Sequence, residues 1–462
     1  MSETMTRDLL DQSATAVVEA LAARKVSAAE LTDQAIARIE TRDGPINAVV
    51  VRDFDRARVQ ARAADAALAR GERGALLGLP MTVKESHNVG GLPTTWGFEH
   101  ARGFVAAEDS VGVSRLKAAG AVILGKTNIP VSLGDWQSVN PIYGRTNNPY
   151  DLTRTPGGSS GGGAAALAAG MIPLEFGSDI GGSIRVPAAF CGVYGHKPSY
   201  DLVPGRGHAP PGVDGLSPPL AVVGPMARTA ADLGLALGVL AGPEGLQAKG
   251  YRLHLPPARH DRLSGYRVLI LDQHPLAAVD GEIRGALDTL GGKLARLGAK
   301  VARTHDRLPD LAKAQATYGA ILGVAMSRGG PEPSKLTAVE WLTLLDEQLA
   351  LRRAFAALFE AVDVVLAPAF GSAAFPHDDA PAPQRQMMID GLPTPYFDQM
   401  AWPGLATPAN LPATAVPIGQ TTAGLPIGAQ VVGDYLEDLT TIGFAGLLER
   451  EFGGFVAPPT PG

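Results

Sequence analysis

The 462-residue chain holds a single cysteine, Cys191. One thiol cannot close an internal disulfide, which fits a reducing compartment and points to the cytoplasm. Within its surroundings Cys191 reads as a small buried packing residue, since no base follows it at a useful spacing. Metal chemistry lacks its usual marks too. None of the nine histidines falls in an H-E-x-x-H or similar helical pair, and there is no cysteine cluster. Neither a metal nor another cofactor is expected. Long apolar runs are missing: nothing approaches the roughly 18 residues of a membrane span, and residues 233–241 are the longest candidate. The opening MSETMTRDLLDQS lacks the apolar core of a secretory signal. An excess of positive charge is absent as well. A net charge of −6 leaves no basic face for nucleic acid and no polybasic membrane anchor. The expected partner is therefore a small molecule, bound by a monomer or homodimer.

What is present is a large core and a mixed pattern of elements. Apolar content of 45% against 19% charge describes a soluble globular chain. Its length could make about three average domains. Residues 13–40 read as two helices, the second opened by the capping box Ser27 to Glu30 with Leu31, Ala35, Ile36 and Ile39 on one face. Strand signals follow at 47–51, 81–84, 121–124, 266–271, 300–302, 362–368, 413–418 and 425–433. Helical patterns fill 54–70, 109–119, 225–242, 281–297, 309–326, 337–361 and 437–452. This alternation defines an α/β fold. Two long loops stand out. Residues 204–219, rich in Pro and Gly around His208, are expected at a pocket rim. Residues 371–404 read as one polar, proline-containing loop of the kind that forms lids or binding loops.

The densest chemistry lies in residues 155–199, TPGGSSGGGAAALAAGMIPLEFGSDIGGSIRVPAAFCGVYGHKPS. Two serine-bearing, glycine-rich turns, at Ser159-Ser160 and at Ser183, flank a run of very small residues. Such turns expose N–H groups and favour negative charge. A phosphate loop needs Gly-Lys-Ser/Thr after its glycines, and no lysine follows here. A dinucleotide fingerprint needs a strand just before its first glycine, where this chain has two prolines and no β run. Gly157 to Gly161 formally satisfies a G-x-S-x-G nucleophile elbow, but that also lacks the preceding strand.

The stretch closely resembles the signature of the amidase signature family. The resemblance rests on Gly157-Gly-Ser-Ser-Gly-Gly162, on Gly177-Ser-Asp-Ile-Gly-Gly-Ser-Ile-Arg185-Val-Pro187, on Gly192-Val-Tyr-Gly195 and on Lys197-Pro-Ser199. The family also needs an upstream lysine after a short apolar strand, and Gly78-Leu-Pro-Met-Thr-Val-Lys84 supplies it. A lysine in such a place would otherwise be expected to snorkel to solvent. The match is dense over 78–199 and thin over 243–360, where substrate choice is expected to be written. The resemblance implies one amidase signature domain over 1–462, with a variable substrate region at about 204–404. It implies a single large mixed sheet covered by helices on both faces.

It also implies a Ser-Ser-Lys triad, with Ser183 as nucleophile, Ser159 as a bridging serine after a cis peptide at Gly158, and Lys84 as base. A lysine acting as base at neutral pH needs its pKa lowered by burial from about 10.4. The N–H groups of Ile180, Gly181, Gly182 and Ser183 are then the expected oxyanion hole. Ser160 and Ser178 read as structural hydroxyls, Ser160 bonding locally. Asp179 orders the second turn. Arg185 either braces that turn or receives a substrate carboxylate. Glu85 should face away from Lys84 on an extended strand. His196 and His208 are the alternative bases, which the resemblance disfavours. Trp96, Trp136 and Tyr143 read as core plugs before substrate contacts.

Members of this family cut small acid amides, aryl amides, fatty amides, cyclic oligoamides and carbamates. The Pro- and Met-rich segment 384–400 suggests an adaptable, partly apolar pocket. That favours bulky aryl amides and carbamates (urethanes), as in a urethane-cleaving or aryl acylamidase member. The alternatives are the glutaminase subunit of a tRNA-dependent amidotransferase and a small-acid amidase.

Overall fold

Unbroken apolar runs such as Val122-Ile-Leu124 and Val364-Val-Leu-Ala367 are the mark of strands covered on both faces. The computed structural model describes residues 9–213, 215, 217–327 and 333–459. Its strands in chain order are β1 (Val49–Arg52), β2 (Pro80–Lys84), β3 (Val122–Thr127), β4 (Val139–Asn140), β5 (Gly144–Arg145), β6 (Leu174–Asp179), β7 (Tyr194–Lys197) and β8 (Val222–Ala227). They continue with β9 (Arg267–Ile270), β10 (Lys300–Ala302), β11 (Val364–Pro368), β12 (Gln386–Ile389), β13 (Leu392–Pro395), β14 (Ala413–Gln420) and β15 (Pro426–Val432). Eleven of them form one sheet, ordered β1-β3-β2-β6-β8-β7-β14-β15-β11-β9-β10. It is mixed: β2 runs parallel to β3 and β6, and β9 runs parallel to β10 and β11. The remaining pairs are antiparallel. Every residue of β2, β3, β6, β8, β11 and β15 is buried. Because side chains alternate across a strand, both faces of the sheet are covered.

The helices follow their sequence signals. Ser27 and Glu30 form the expected capping box at the start of Ala28–Arg42, which buries Leu31, Ala35, Ile36 and Ile39. The small-residue helix Gly161–Ala168 is wholly buried against β2, β3 and β6. Its glycines and alanines let backbone approach backbone: a Cβ at Gly162 would come 2.3 Å from the Asn128 nitrogen. Helices Leu311–Ser327 and Ala338–Phe359 together connect β10 to β11, two strands that both pair with β9. Among the described residues no helix is long and apolar enough to cross a membrane.

Two expectations are corrected. Residues 225–227 are strand, not the start of a helix; the helix is Ala230–Leu240. Pro225 has no N–H to give a ladder, but it lies beyond the β7 pairing, which ends at Gly195 opposite Met226, so β7 loses no bond to it. Residues 371–404 are not one open loop. They contain the β12–β13 hairpin and short 3-10 turns at Ala382–Gln384, Tyr396–Ala401 and Pro403–Leu405. The hairpin turns at Asp390-Gly391, both at positive φ, the geometry an Asp-Gly pair favours.

Candidate active site

Parallel pairing of β2 with β6 sets Val83 opposite Phe176. The two strands therefore end side by side and bring Lys84 to the end of β6. There Lys84 Nζ lies 2.6 Å from Ser159 Oγ, 2.9 Å from Ser178 Oγ and 3.5 Å from the Ser178 carbonyl. Ser159 enters from the turn before Gly161–Ala168, and the Gly158–Ser159 peptide is cis. The Ser160 N–H donates to the Ser183 carbonyl at 3.0 Å, which clasps the two serine turns together. Close approach explains Gly158, where a Cβ would come 2.3 Å from the Asp135 carbonyl.

Lys84 is fully buried. Burial lowers its pKa to about 7, against the opposing pull of Asp179 and then Glu175. Two other buried lysines separate structure from chemistry. Burial lowers Lys126 to about 8, but its ammonium holds Thr94 Oγ1 and the Pro93 carbonyl. Lys197, lowered by burial to about 7, holds the carbonyls of Leu411 and Pro198. Only Lys84 among these three faces serine hydroxyls.

The second turn is set by Asp179. Burial alone would raise its carboxyl, yet Arg185 and lesser partners hold it down at about 2. Its oxygens accept from the Gly182 and Ile184 N–H groups at 2.9 and 3.1 Å. Arg185 meets it through Nε at 3.0 Å and Nη2 at 2.9 Å, and also donates to Gln430 Oε1, Thr407 Oγ1 and the Pro403 carbonyl. Fully buried, with its donors committed, Arg185 braces the turn and does not reach the cavity as a carboxylate receptor. The Gly182 N–H, expected in the oxyanion hole, is thus committed to Asp179. The N–H groups of Ile180, Gly181 and Ser183 have no partner among the described residues.

Other expectations divide. Glu85 turns away as anticipated, accepting from the Thr95 and Trp96 N–H groups at 2.6 and 3.1 Å. Ser178 is more than a structural hydroxyl, since it contacts Lys84. Ser160 does not bond locally; its Oγ reaches the Ser178 carbonyl, 18 residues on, at 3.3 Å. His196 is locked between Thr414 Oγ1 and Asp438 Oδ1 at 2.9 and 3.0 Å, away from Ser183. His208 is buried, not at a rim. It bonds Ser86 Oγ at 2.9 Å, and burial lowers it to about 3. Its loop lines a separate 140 Å³ hollow. Cys191 is buried as expected, and burial pushes its thiol up.

Ser183 opens into a cavity of about 390 Å³. Larger hollows elsewhere contain none of Lys84, Ser159 or Ser183. Leu133, Trp136, Ile180 and Gly181 form one side; Gln315, Leu322, Met326, Phe397 and Met400 form the other. Trp136 is both core plug and cavity wall, and its Nε1–H donates to the Gly181 carbonyl at 2.9 Å. Sequence reasoning missed Tyr318, whose hydroxyl donates to the Ile180 carbonyl at 2.7 Å. With the two carbonyls held this way, the intervening Gly181 N–H is turned to the opposite side of its peptide. Tyr318 stands on a helix more than a hundred residues from the signature, so no local spacing marked it. His87 was missed too: its Nε2 donates to the Gly177 carbonyl at 3.2 Å and its ring stacks on Phe176. Among the described residues no group of His, Cys, Asp and Glu could hold a metal ion.

A buried lysine bonded to one of two clasped serine turns at the end of a mixed sheet defines a class of serine amidases, and this chain belongs to the amidase signature family. The amidase family model matches residues 30–329 and 311–442. The chain is 35% identical to a glutamyl-tRNA(Gln) amidotransferase subunit of Anaeromyxobacter sp. (strain K), covering 96% of both. It is 32% identical to human (Homo sapiens) fatty-acid amide hydrolase 2, over 98% of this chain and 91% of that one. Among solved structures, a bacterial aryl acylamidase of the amidase signature family superposes with a TM-score of 0.79 at 26% identity, over 96% of each chain. The chain is accordingly an amide hydrolase acting on carbon–nitrogen bonds.

Proposed function

We propose that this amidase cleaves bulky, neutral aryl amides and carbamates through an acyl-enzyme on Ser183. The observation that carries the reading is the Lys84–Ser159 contact at 2.6 Å, with Lys84 lowered by burial to about 7, beside a cavity that Ser183 lines. Neutral Lys84 takes the Ser159 proton as Ser159 takes the Ser183 proton. The Ser183 oxygen then bonds to the substrate carbonyl carbon. Unpaired N–H groups of Ile180, Gly181 and Ser183 stabilise the oxyanion, a role worth about 2.7–4 kcal/mol per donor. The carbon–nitrogen bond breaks as Lys84, through Ser159, returns the proton to the leaving amine. Water releases the acyl group. From an alkyl carbamate it releases a carbonic half-ester, which falls to alcohol and carbon dioxide.

The cavity supports the substrate class. Its wall is largely Leu133, Trp136, Leu322, Met326, Phe397 and Met400, and none of its lining residues is basic. An amino-acid carboxylate would find no cation there. A second reading, a glutaminase component serving an amidotransferase, is favoured by the 35% identity to such a protein and disfavoured by that lining.

The test is release of 4-nitroaniline from an anilide and from an alkyl carbamate of 4-nitroaniline, beside ammonia release from glutamine. Turnover of either chromogenic substrate, abolished by Ser183→Ala, supports the reading. A carbamate rate at or above the anilide rate marks a urethane-cleaving enzyme; the reverse marks an aryl acylamidase. Ammonia from glutamine alone would establish the second reading, and activity surviving in Ser183→Ala would overturn the mechanism.

A further inference from the structure

Helix Leu311–Ser327 sets Gln315, Tyr318, Leu322 and Met326 three to four residues apart, along one face. Gln315, Leu322 and Met326 line the Ser183 cavity. Gln315 is the odd member of an otherwise apolar stripe. Its Oε1 is buried against Gly404 with no hydrogen-bond partner, and its Nε2–H2, the donor left to the cavity, has no protein partner among the described residues. The position is built around it: a Cβ at Gly404 would come 2.3 Å from Gln315 Oε1. The other polar side chains of the wall are committed. Asp135 accepts from Arg385 Nη1 and from Tyr396 OH, both within 2.8 Å, and Trp136 Nε1–H is spent on Gly181. Apart from the Ser183 hydroxyl, Gln315 is the one polar side chain of the lining without a partner among the described residues.

We propose that Gln315 is a specificity-determining residue whose Nε2–H2 donates a hydrogen bond to a second neutral carbonyl on the substrate, beyond the bond that is cut. A primary amide is uncharged, so it rewards a carbonyl without attracting ions. A site holding an otherwise unpaired polar group discriminates against an analogue that leaves it unpaired. The favoured substrates are therefore keto-amides, bis-amides and bis-carbamates rather than hydrocarbons of equal length. This inference rests on the reading that Ser183 cleaves neutral amides and carbamates in this cavity.

Calorimetric binding to the full-length Ser183→Ala protein tests it with two matched pairs. One pair is 5-oxohexanoyl anilide against hexanoyl anilide; the other is hexanoyl 4-acetylanilide against hexanoyl 4-ethylanilide. The carbonyl member of at least one pair should bind about tenfold tighter, the scale of one neutral hydrogen bond. Adding Gln315→Met should collapse that ratio towards one. So should Gln315→Glu, whose carboxylate cannot donate, and which serves if the methionine protein fails to fold. Ratios below about twofold in both pairs overturn the inference, as does a preference kept by the Gln315 variants. Wild-type cleavage of hexanoyl 4-nitroanilide is measured alongside. Cleavage without binding preference sinks only the Gln315 role, and preference without cleavage sinks only the proposed hydrolysis. Absence of binding by every member overturns both.

Discussion

The two sides of the Ser183 cavity are built by different means. On one side the serine turns are close in sequence, rich in glycine, almost wholly buried and held by backbone and ionic bonds. Arg185 alone ties that side to Asp179, Thr407, Gln430 and the Pro403 carbonyl. On the other side a helix and a 3-10 turn lend apolar side chains that remain partly open, with Met326 48% and Phe397 41% exposed. The first side tolerates almost no change because Asp179 and Arg185 each have several fixed partners and its glycines have no room for a Cβ. The second is free to vary because apolar contacts are non-directional. On the proposed mechanism, chemistry and substrate choice should thus be separable, with the Tyr318 bond crossing between them.

That separation can be broken or sharpened in order of effect. The largest loss should come from the reaction side. Ser183→Ala and Lys84→Met should each lower kcat/KM by roughly 10³ or more, read with 4-nitroanilides, while the fold persists by circular dichroism. Arg185→Met should come next, leaving Asp179 buried without its counter-charge and costing about 3–5 kcal/mol in urea unfolding. Acid comes third. In the proposed mechanism Lys84 acts as a base only when neutral, and its pKa is lowered by burial to about 7, so activity should be full above that value. Below it kcat/KM should fall about tenfold per pH unit, roughly hundredfold by pH 5. A profile flat from pH 5 to 8 would remove Lys84 from the base role. Tyr318→Phe should lower kcat about tenfold with a smaller change in KM, because it frees the Ile180 carbonyl and gives up only a 3.2 Å contact to Met400 Sδ in the wall. The smallest effect belongs to the wall: Leu322→Ala should raise KM severalfold for bulky anilides and leave kcat within about twofold. A kcat loss there as large as that of Tyr318→Phe would mean the two sides are not separable.

Much of this is legible in the order of residues alone. Lys84, Ser159 and Ser183 stand in recognisable motifs because their roles demand fixed backbone, and fixed backbone demands glycine. The sheet is legible because strands covered on both faces must be apolar throughout, as in Val364-Val-Leu-Ala367. What escaped depends on distant partners. No local pattern states that Tyr318 holds the Ile180 carbonyl, or that His208 is swallowed by Ser86, His87 and Trp96. The β12–β13 hairpin is the exception, since Asp390-Gly391 announces a tight turn that the prolines around it obscure. The substrate wall leaves little trace because residues 311–327 show only an ordinary apolar helix, in which one glutamine at the right height is indistinguishable from a surface residue.

The connection from β10 to β11 has a consequence for how such molecules diversify. Its two helices leave and re-enter the sheet on either side of a single strand, with Ala302 opposite Leu269 and Val364 opposite Val268. The excursion is therefore a cassette with neighbouring ports. A chimera that replaces residues 311–359 with the corresponding helices of another amidase should import that enzyme's substrate range to an unaltered reaction centre. The graft carries one condition: position 318 must stay tyrosine, or the imported wall will arrive without its latch.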